Sequence, residues 1–243
     1  MKVAVISDIH GNVAALQAVL SSIEKHRPDL VVNLGDALSG PLFPVADLLM
    51  VKDILSIRGN HERQLLTLPQ DRMNASDRYT ATRLLPVHFD WLRKLPTTLQ
   101  IKDDILLVHV TPTDDIAYFL ETVDEKGARQ AGRVEIESRA CTAHQSLILC
   151  GHTHVQRSYR LSAHSLIVNP GSVGLPAYED DLPFPHKMES LSPHARYAVA
   201  EKRNGQWTCL MHQVDYDWED AAVAAEEHGR RDWAHALRTG TAR

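Results

Sequence analysis

Short apolar runs that lead into clusters of Gly, Asp, Asn and His residues are the main constraint on the fold of this 243-residue chain. The first 60 residues contain three such runs, 3–7, 30–34 and 54–57. Segment 12–24, between the first two, has apolar residues at helical spacing and begins at Asn12, which suits a helix N-cap. Strands that alternate with helices predict an α/β fold with a parallel sheet and crossover helices.

The rest of the chain contains signals for hairpins, helices and one long loop. Two pairs of apolar runs are separated by short turns and predict hairpins, 99–101 with 105–110 and 197–203 with 207–213. The second turn is Asn204-Gly205, a strong type I′ signal. Helices are predicted over 124–139, 218–227 and 231–238. The Pro-rich segment 178–194 predicts a surface loop, and the lack of a linker or repeat predicts one domain, 1–243.

The composition argues against several classes of protein. The net charge is −5 at pH 7 and no basic stripe occurs, so there is no strong nucleic-acid signal. No apolar run reaches the about 18 residues of a membrane span, and the N-terminal run is too short for a signal peptide. The three cysteines include no C-x-x-C pair, which argues against a disulfide framework and a thiolate metal site. These features predict a cytoplasmic protein.

The polar residues that lie within or directly after the apolar runs are of types that bind transition metals. They are Asp8, His10, Asp36, Asn60, His109, His152 and His154. The carboxyl ends of parallel strands meet at one edge of a sheet, so these side chains are expected to converge there. Oxygen and imidazole ligands suit Mn²⁺, Fe or Zn²⁺ in a reactive site better than a structural zinc site. Seven ligands exceed the need of one tetrahedral ion and predict two ions about 3.5–4 Å apart that share a carboxylate.

The spacing of the candidate ligands suggests how the backbone presents them. Asp8 and His10 are two residues apart, as are His152 and His154. In an extended backbone this spacing places both side chains on one side of the chain, where they hold one ion or adjacent ions. Glycines beside the candidate ligands suit tight turns or close backbone approach, namely Gly11, Gly35, Gly59, Gly151 and Gly171.

Five motifs in this order resemble the calcineurin-like metallophosphoesterases, in particular a branch of small bacterial and archaeal phosphodiesterases. The motifs are Asp8-Ile-His10, Gly35-Asp36, Gly59-Asn60-His61-Glu62, His109 and Gly151-His152-Thr153-His154. The tail, 215–240, also resembles that branch. The resemblance implies a four-layer α/β fold, classed as α+β in some schemes, in which helices flank two packed mixed β-sheets.

The resemblance also implies a role for each residue. One metal ion would be held by Asp8, His10 and His154, and the other by Asn60, His109 and His152. Asp36 would bridge the two ions as a catalytic residue, and His61, beside a ligand, would assist the leaving group. The implied cofactors are two divalent or trivalent transition-metal ions, Mn first, with Fe, Ni or Zn as alternatives. A hydroxide that bridges the ions would attack the phosphorus of a phosphate ester.

Two features depart from the family pattern. Val110 follows His109 where the family usually has Gly, and its branched side chain is expected to narrow the site. The Asp–Arg–Gly continuation of some protein phosphatases is missing after Asp36, which argues against a eukaryotic-type protein phosphatase. The sequence therefore identifies no acid that would steady His61.

The residues outside the motifs receive more ordinary interpretations. Segment 169–174 is expected to be a structural turn, and His186 a surface residue. Arg58 is equally consistent with contact to a substrate phosphate and with a solvated strand end. The tail helices would either pack on the sheet or form a dimer contact.

The main hypothesis is a hydrolase, a phosphodiesterase that acts on a small phosphate ester or nucleotide, as a monomer or homodimer. Its alternatives are a phosphomonoesterase and a dinucleoside polyphosphate hydrolase. An amidohydrolase-type barrel fits less well, because it requires an early His-x-His and eight βα units. An interaction scaffold of the same fold is the non-enzymatic alternative, which the presence of His61 and all seven candidate ligands disfavours.

Overall fold

Helices flank two five-stranded mixed β-sheets in the computed structural model, which describes residues 1–42, 45–52, 54–141 and 143–243. The strands are β1 Lys2–Ile6, β2 Leu30–Asn33, β3 Leu55–Ser56, β4 Thr98–Ile101, β5 Ile105–Val108, β6 Glu121–Asp124, β7 Gly127–Gln130, β8 Leu147–Leu149, β9 Arg157–Arg160, β10 Leu166–Asn169, β11 Ala177–Asp180, β12 His186–Glu189, β13 Ala195–Arg203 and β14 Gln206–Val214. The helices are α1 Val13–Glu24, α2 Ala46–Val51, α3 Asn60–Thr67, α4 Ala75–Ala81, α5 Pro86–Lys94, α6 Arg133–Ala140, α7 Trp218–Glu227 and α8 Arg231–Thr239, with a 3₁₀ turn at Gln70–Arg72.

Parallel strands form the part of each sheet that leads to the site. The first sheet has the order β14-β13-β1-β2-β3, with β1, β2 and β3 parallel. The second has the order β4-β5-β8-β10-β9, with β5, β8 and β10 parallel. The predicted α/β class and the two mixed sheets flanked by helices are thus confirmed.

The apolar runs are continuous because both faces of their strands are buried. In β1, Val3 and Val5 point into the layer between the sheets, where they pack in one cluster with Leu107 and Leu149. Ala4, one residue along, points to the opposite face and joins the cluster under α1. The packed layer between the sheets brings the carboxyl ends of both sets of parallel strands to one region.

Several predicted elements are confirmed in detail. The side chain of Asn12 caps α1 by accepting a hydrogen bond from Ala15 N at 3.1 Å. Asn204 and Gly205 both have positive φ, 49° and 80°, as a type I′ hairpin turn requires. The tail helices form as predicted, and Trp233 of α8 packs in a cluster that includes Leu175, so the tail packs against the rest of the chain.

The predicted helix over 124–139 is wrong in its first half. Segment 121–130 instead forms the β6–β7 hairpin, and α6 begins only at Arg133. The turn is set locally: Asp124 Oδ1 accepts from Lys126 N at 2.9 Å, and Gly127 takes a φ of +103°. Gly127 has no Cβ and enters this left-handed conformation without steric cost, so the hairpin outcompetes the helix.

The predicted loop over 178–194 is also wrong in part, because it contains most of the β11–β12 hairpin. Alternate residues of β12, His186 and Met188, are buried, so one face of the hairpin packs inward. The expectation that His186 lies on the surface is therefore incorrect. None of the helices in the described ranges is long and apolar enough to cross a membrane.

Candidate metal centre

The polar residues that follow the parallel strands form two groups of potential metal ligands. The first group is Asp8, His10 and His154, and the second is Asp36, His109 and His152. Within each group, one donor atom from each residue lies within 4.8 Å of the others. All are buried except His152, which is partly exposed. Side chains from both sheets thus converge as the strand pattern predicted.

The seventh predicted ligand, Asn60, adjoins the second group. Its Oδ1 lies 3.0 Å from Nε2 of His109, and Oδ2 of Asp36 lies 3.0 Å from the same nitrogen. In the first group, Nε2 of His154 lies 3.1 Å from Nε2 of His10 and 3.5 Å from Asp8 Oδ1. Every predicted ligand therefore lies within one of two compact sets of donors.

Left-handed backbone, rather than extended backbone, presents most of these ligands. Positive φ angles occur at five of them: Asp8 at 54°, His10 at 51°, Asp36 at 50°, His152 at 71° and His154 at 60°. The strands end before the ligands begin, so the expected strand alternation does not apply. His152 and His154 fall into different groups, whereas Asp8 and His10 share one. Such conformations cost about 1–3 kcal/mol each for residues other than Gly, and they concentrate at functional sites.

Hydrogen bonds between the strand-end turns hold this backbone in place. Asp8 N donates to Gly35 O, and His10 N donates to Asp36 O, both at 3.0 Å. The turn at 169–174 supports the other side: Ser172 Oγ donates to Asp8 O at 2.7 Å, and Gly174 N donates to the same oxygen at 3.0 Å. The structural interpretation of that segment is confirmed.

Backbone carbonyls orient two of the imidazoles. His10 Nδ1 lies 2.7 Å from Ser39 O, and His109 Nδ1 lies 2.8 Å from Leu34 O. A carbonyl only accepts, so each Nδ1 carries the proton and each Nε2 faces the donor group. This arrangement, in which one ring nitrogen is held by a carbonyl and the other is directed inward, is typical of metal-binding histidines.

Burial and neighbouring charges set the protonation states of the candidate ligands. Burial, reinforced by neighbouring imidazoles, lowers the pKa of His10 and that of His152 to about 3, so both are neutral at pH 7. Burial alone would raise the pKa of Asp36, but His109 and His61 hold it well below its usual range. Oδ1 of Asp8 is buried and has no hydrogen-bond partner. Burial opposes the charged form of His109, but Asp36 raises its pKa to about 9, so His109 would release a proton on binding an ion.

Glu62 organises the second group, a role that was not predicted from the sequence. Its Oε2 accepts from Asp36 N at 2.8 Å and from Gly59 N at 2.9 Å, and its Oε1 accepts from Ala37 N at 2.8 Å. The signal was present, because Glu62 stands three residues after Gly59, at the spacing of a capping box. The buried carboxylate ties the Asp36 turn to the start of α3.

The structure also identifies the acid that the sequence could not assign to His61. His61 Nδ1 lies 2.8 Å from Oδ1 of Asp77, a fully buried residue of α4. Asn74 fixes that carboxylate, since its Nδ2 donates to Asp77 Oδ2 at 2.9 Å. Burial opposes the charged form of His61, but Asp36 and Asp77 raise its pKa to about 10. His61 is thus oriented and protonated.

A polar cleft of about 360 Å³ opens above the two groups. Its lining includes His10, Asp36, Asn60, His61, His152, His154, Ser76, Glu179, Asp180, Arg230 and Trp233. Val110 is buried and is absent from the described lining, so the expected narrowing by its side chain does not occur. Arg58 does not line this cleft either, and its buried Nε has no hydrogen-bond partner. The tail helices supply one wall through Trp233.

Comparisons with known proteins agree with this geometry. A family model described as a calcineurin-like phosphoesterase superfamily domain matches residues 1–184, which include all seven predicted ligands. The chain is similar to a metallophosphoesterase from Sphaerobacter thermophilus of known structure, with 26% identity, 99% of each chain covered and a TM-score of 0.74. It is also similar in fold to a hypothetical protein from Pyrococcus horikoshii, with 19% identity, 98% of each chain covered and a TM-score of 0.74. No curated protein matches the chain.

We predict that Gly59→Ala weakens binding of Mn²⁺ about 10- to 100-fold, as is usual when the support of a ligand is disturbed. A methyl group on Gly59 would collide with the Asp36 carboxylate and approach Asp36 N to 2.6 Å. Titration calorimetry of the metal-free protein with MnCl₂ measures the effect. Gly132→Ala is the control, because a Cβ there meets Glu135 Oε2 at 3.3 Å, away from the site. Equal affinities in the two variants would show that Gly59 does not position the ligands.

Proposed function

The chain belongs to the calcineurin-like phosphoesterase superfamily, and from this we propose that it is a phosphodiesterase that depends on two transition-metal ions. The observation that supports this best is the pair of donor groups at the strand ends. Each group contains oxygen and imidazole donors, and burial keeps His10 in the first and His152 in the second neutral. We further propose that residues 1–243 form one domain, which the packing of the tail against the cleft supports.

We assign the predicted ligands to two ions. One ion would be held by Asp8, His10 and His154, and the other by Asn60, His109 and His152, with Asp36 shared. The position of Asp36 supports the shared role, because its Oδ2 lies 3.0 Å from His109 Nε2 and its backbone oxygen accepts from His10 N at 3.0 Å, so it contacts one residue of each group. We propose Mn²⁺ as the native ion, with Fe, Ni and Zn²⁺ as alternatives of similar ligand preference.

The ions, when bound, would activate a water molecule and neutralise charge on the phosphoryl oxygens. The chain's own contribution at the leaving oxygen is His61. Asp77 holds its Nδ1, so its Nε2 is the nitrogen that can donate a proton in the cleft. As the water oxygen bonds to phosphorus and the ester P–O bond breaks, the leaving oxygen takes this proton. The products are a phosphate monoester and an alcohol or phenol.

The charge of the cleft supports a diester substrate. Apart from histidines, Arg230 is the one cation in the described lining, and its Nη2 binds Asp232 at 2.6 Å while its Nη1 binds Ser76 at 2.6 Å. Glu179 and Asp180 add negative charge to the wall. A diester carries one negative charge, whereas a monoester or polyphosphate carries more, so a lining with few free cations favours the diester.

All three cysteines are unpaired, which supports a cytoplasmic location.

The proposed function is tested by comparing two esters that release the same phenolate. We expect kcat/KM to be at least about tenfold higher for bis-p-nitrophenyl phosphate than for p-nitrophenyl phosphate. The assay is run on metal-free protein after addition of Mn²⁺, Ni²⁺, Fe²⁺ or Zn²⁺, and Mn²⁺ is expected to give the highest rate. Preference for the monoester would indicate a phosphomonoesterase, and no turnover with any ion would indicate a scaffold.

The role of His61 is tested by its dependence on the leaving group. We predict that His61→Gln keeps the wild-type metal content but lowers kcat at least about tenfold, a modest loss for a general acid. The loss should be larger for a phenyl ester than for a p-nitrophenyl ester, because phenolate needs the proton more. Asp77→Asn should show the same dependence, since Asp77 positions His61.

Asp47→Asn is the matched control for Asp77→Asn. Asp47 also accepts from a histidine, His88 Nε2 at 2.8 Å, but neither residue lines the polar cleft. Asp47→Asn should leave kcat unchanged for both the phenyl and the p-nitrophenyl ester. If His61→Gln and Asp77→Asn each lowered kcat for the phenyl ester and for the p-nitrophenyl ester by the same factor, proton donation by His61 would be refuted.

A further inference from the structure

A second cleft, of about 640 Å³, adjoins the metal centre and has a different character. It shares five lining residues with the polar cleft: Asn60, Gln64, Tyr118, His152 and Asp180. The rest of its lining is largely apolar and includes Ile116, Ala117, Val123, Leu182 and Pro183. A phosphoryl group at the metal centre would therefore have direct access to an apolar space.

A hydrogen bond joins two of the segments that line this apolar cleft. Segment 109–120 carries Ile116 and Tyr118, and the turn of the β11–β12 hairpin carries Leu182. His186 Nδ1 donates to Phe184 O at 2.7 Å, so its Nε2 accepts from the Tyr118 hydroxyl at 2.6 Å. This bond ties the hairpin to the wall that the Tyr118 ring forms beside His152, with 5.3 Å between the ring centres. The hydrogen bond between Tyr118 and His186 thus holds these two segments of the cleft wall together. The side chains of Ile116 and Leu182 are 58% and 75% exposed, so a ligand can reach them.

The charges around the apolar cleft do not suit a second phosphate. Arg139 is the cation in the described lining, and its guanidinium donates hydrogen bonds to backbone and hydroxyl oxygens. Its Nη1 donates to Glu121 O at 2.7 Å, and its Nη2 donates to Thr122 Oγ1 at 2.8 Å. Asp180 adds a negative charge. An uncharged, apolar group is the ligand chemistry that this lining favours.

The position of His61 decides which part of a diester the apolar cleft would bind. His61 lines the polar cleft and is absent from the described lining of the apolar one, whereas Asn60 and His152 line both. The leaving oxygen must face His61, so it lies on the polar side. The second ester substituent, which stays on phosphorus in the product, then has the apolar cleft available.

We propose that the cleft between Ile116, Tyr118 and Leu182 binds the retained substituent of the substrate diester, and that this substituent is an aromatic ring. An aromatic group fits because the Tyr118 ring offers it a flat apolar partner, and ring pairs favour offset or edge-to-face contact. This inference rests on the proposed phosphodiesterase function.

The test uses two diesters with one leaving group, phenyl p-nitrophenyl phosphate and methyl p-nitrophenyl phosphate. For the Mn²⁺-loaded protein, kcat/KM for the phenyl ester should be at least about tenfold higher. Ile116→Ser and Leu182→Ser should each lower this ratio at least about threefold, by reducing turnover of the phenyl ester more than that of the methyl ester. Val134→Ser, which changes a valine of α6 that is 79% exposed and lies outside the cleft, should leave the ratio unchanged.

A binding measurement complements the rates. Titration calorimetry should show that phenylphosphonate binds the Mn²⁺-loaded protein at least about tenfold more tightly than methylphosphonate, and that Ile116→Ser reduces the difference. Equal kcat/KM for the two esters, or a ratio that Ile116→Ser and Leu182→Ser do not change, would overturn this inference while the phosphodiesterase function stands. If neither diester were hydrolysed with any of the four ions, the proposed function would fail and this inference with it.

Discussion

The buried carboxylate of Glu62 is the interaction on which the site depends most. It accepts hydrogen bonds from four backbone N–H groups, those of Asp36, Ala37, Leu38 and Gly59. Burial and the charge of Asp36 raise the pKa of Glu62, and the N–H donors oppose this by favouring the ionised form. Loss of the carboxylate would leave buried donors unpaired, at about 1–3 kcal/mol each. One side chain thus joins the turn after β2 to the start of α3, and so places Asp36, Asn60 and His61 relative to one another.

Strand ends and the turns that follow them position the other candidate ligands. Short strands with both faces buried end at the same region, and left-handed turns then direct Asp8, His10, His152 and His154 inward. That conformation is unfavourable for residues with side chains, and hydrogen bonds between neighbouring turns stabilise it. Burial keeps His10 and His152 neutral, so their lone pairs are available before any ion arrives. The fold therefore places these candidate ligands before any ion binds.

The sequence predicted the elements whose signals are local and strong. Alternation of apolar runs and helices predicted the parallel strands, and Asn12 and Asn204-Gly205 marked a helix start and a hairpin turn. The convergence of the candidate ligands followed from their position after strands. Three features escaped prediction for physical reasons. The hairpin over 121–130 depends on a glycine turn in a segment without clear periodicity. The turns that carry the candidate ligands have left-handed rather than extended backbone. Asp77 contacts His61 only because of where α4 packs.

We propose that the two donor groups hold two ions that share Asp36. It is tested most directly by anomalous diffraction, at the manganese absorption edge, from crystals of the protein grown with Mn²⁺. We expect two anomalous peaks, one coordinated by Asp8, His10 and His154 and one by Asn60, His109 and His152, with the Asp36 carboxylate in contact with both. A single peak at full Mn²⁺ occupancy, or two peaks that Asp36 does not join, would contradict it.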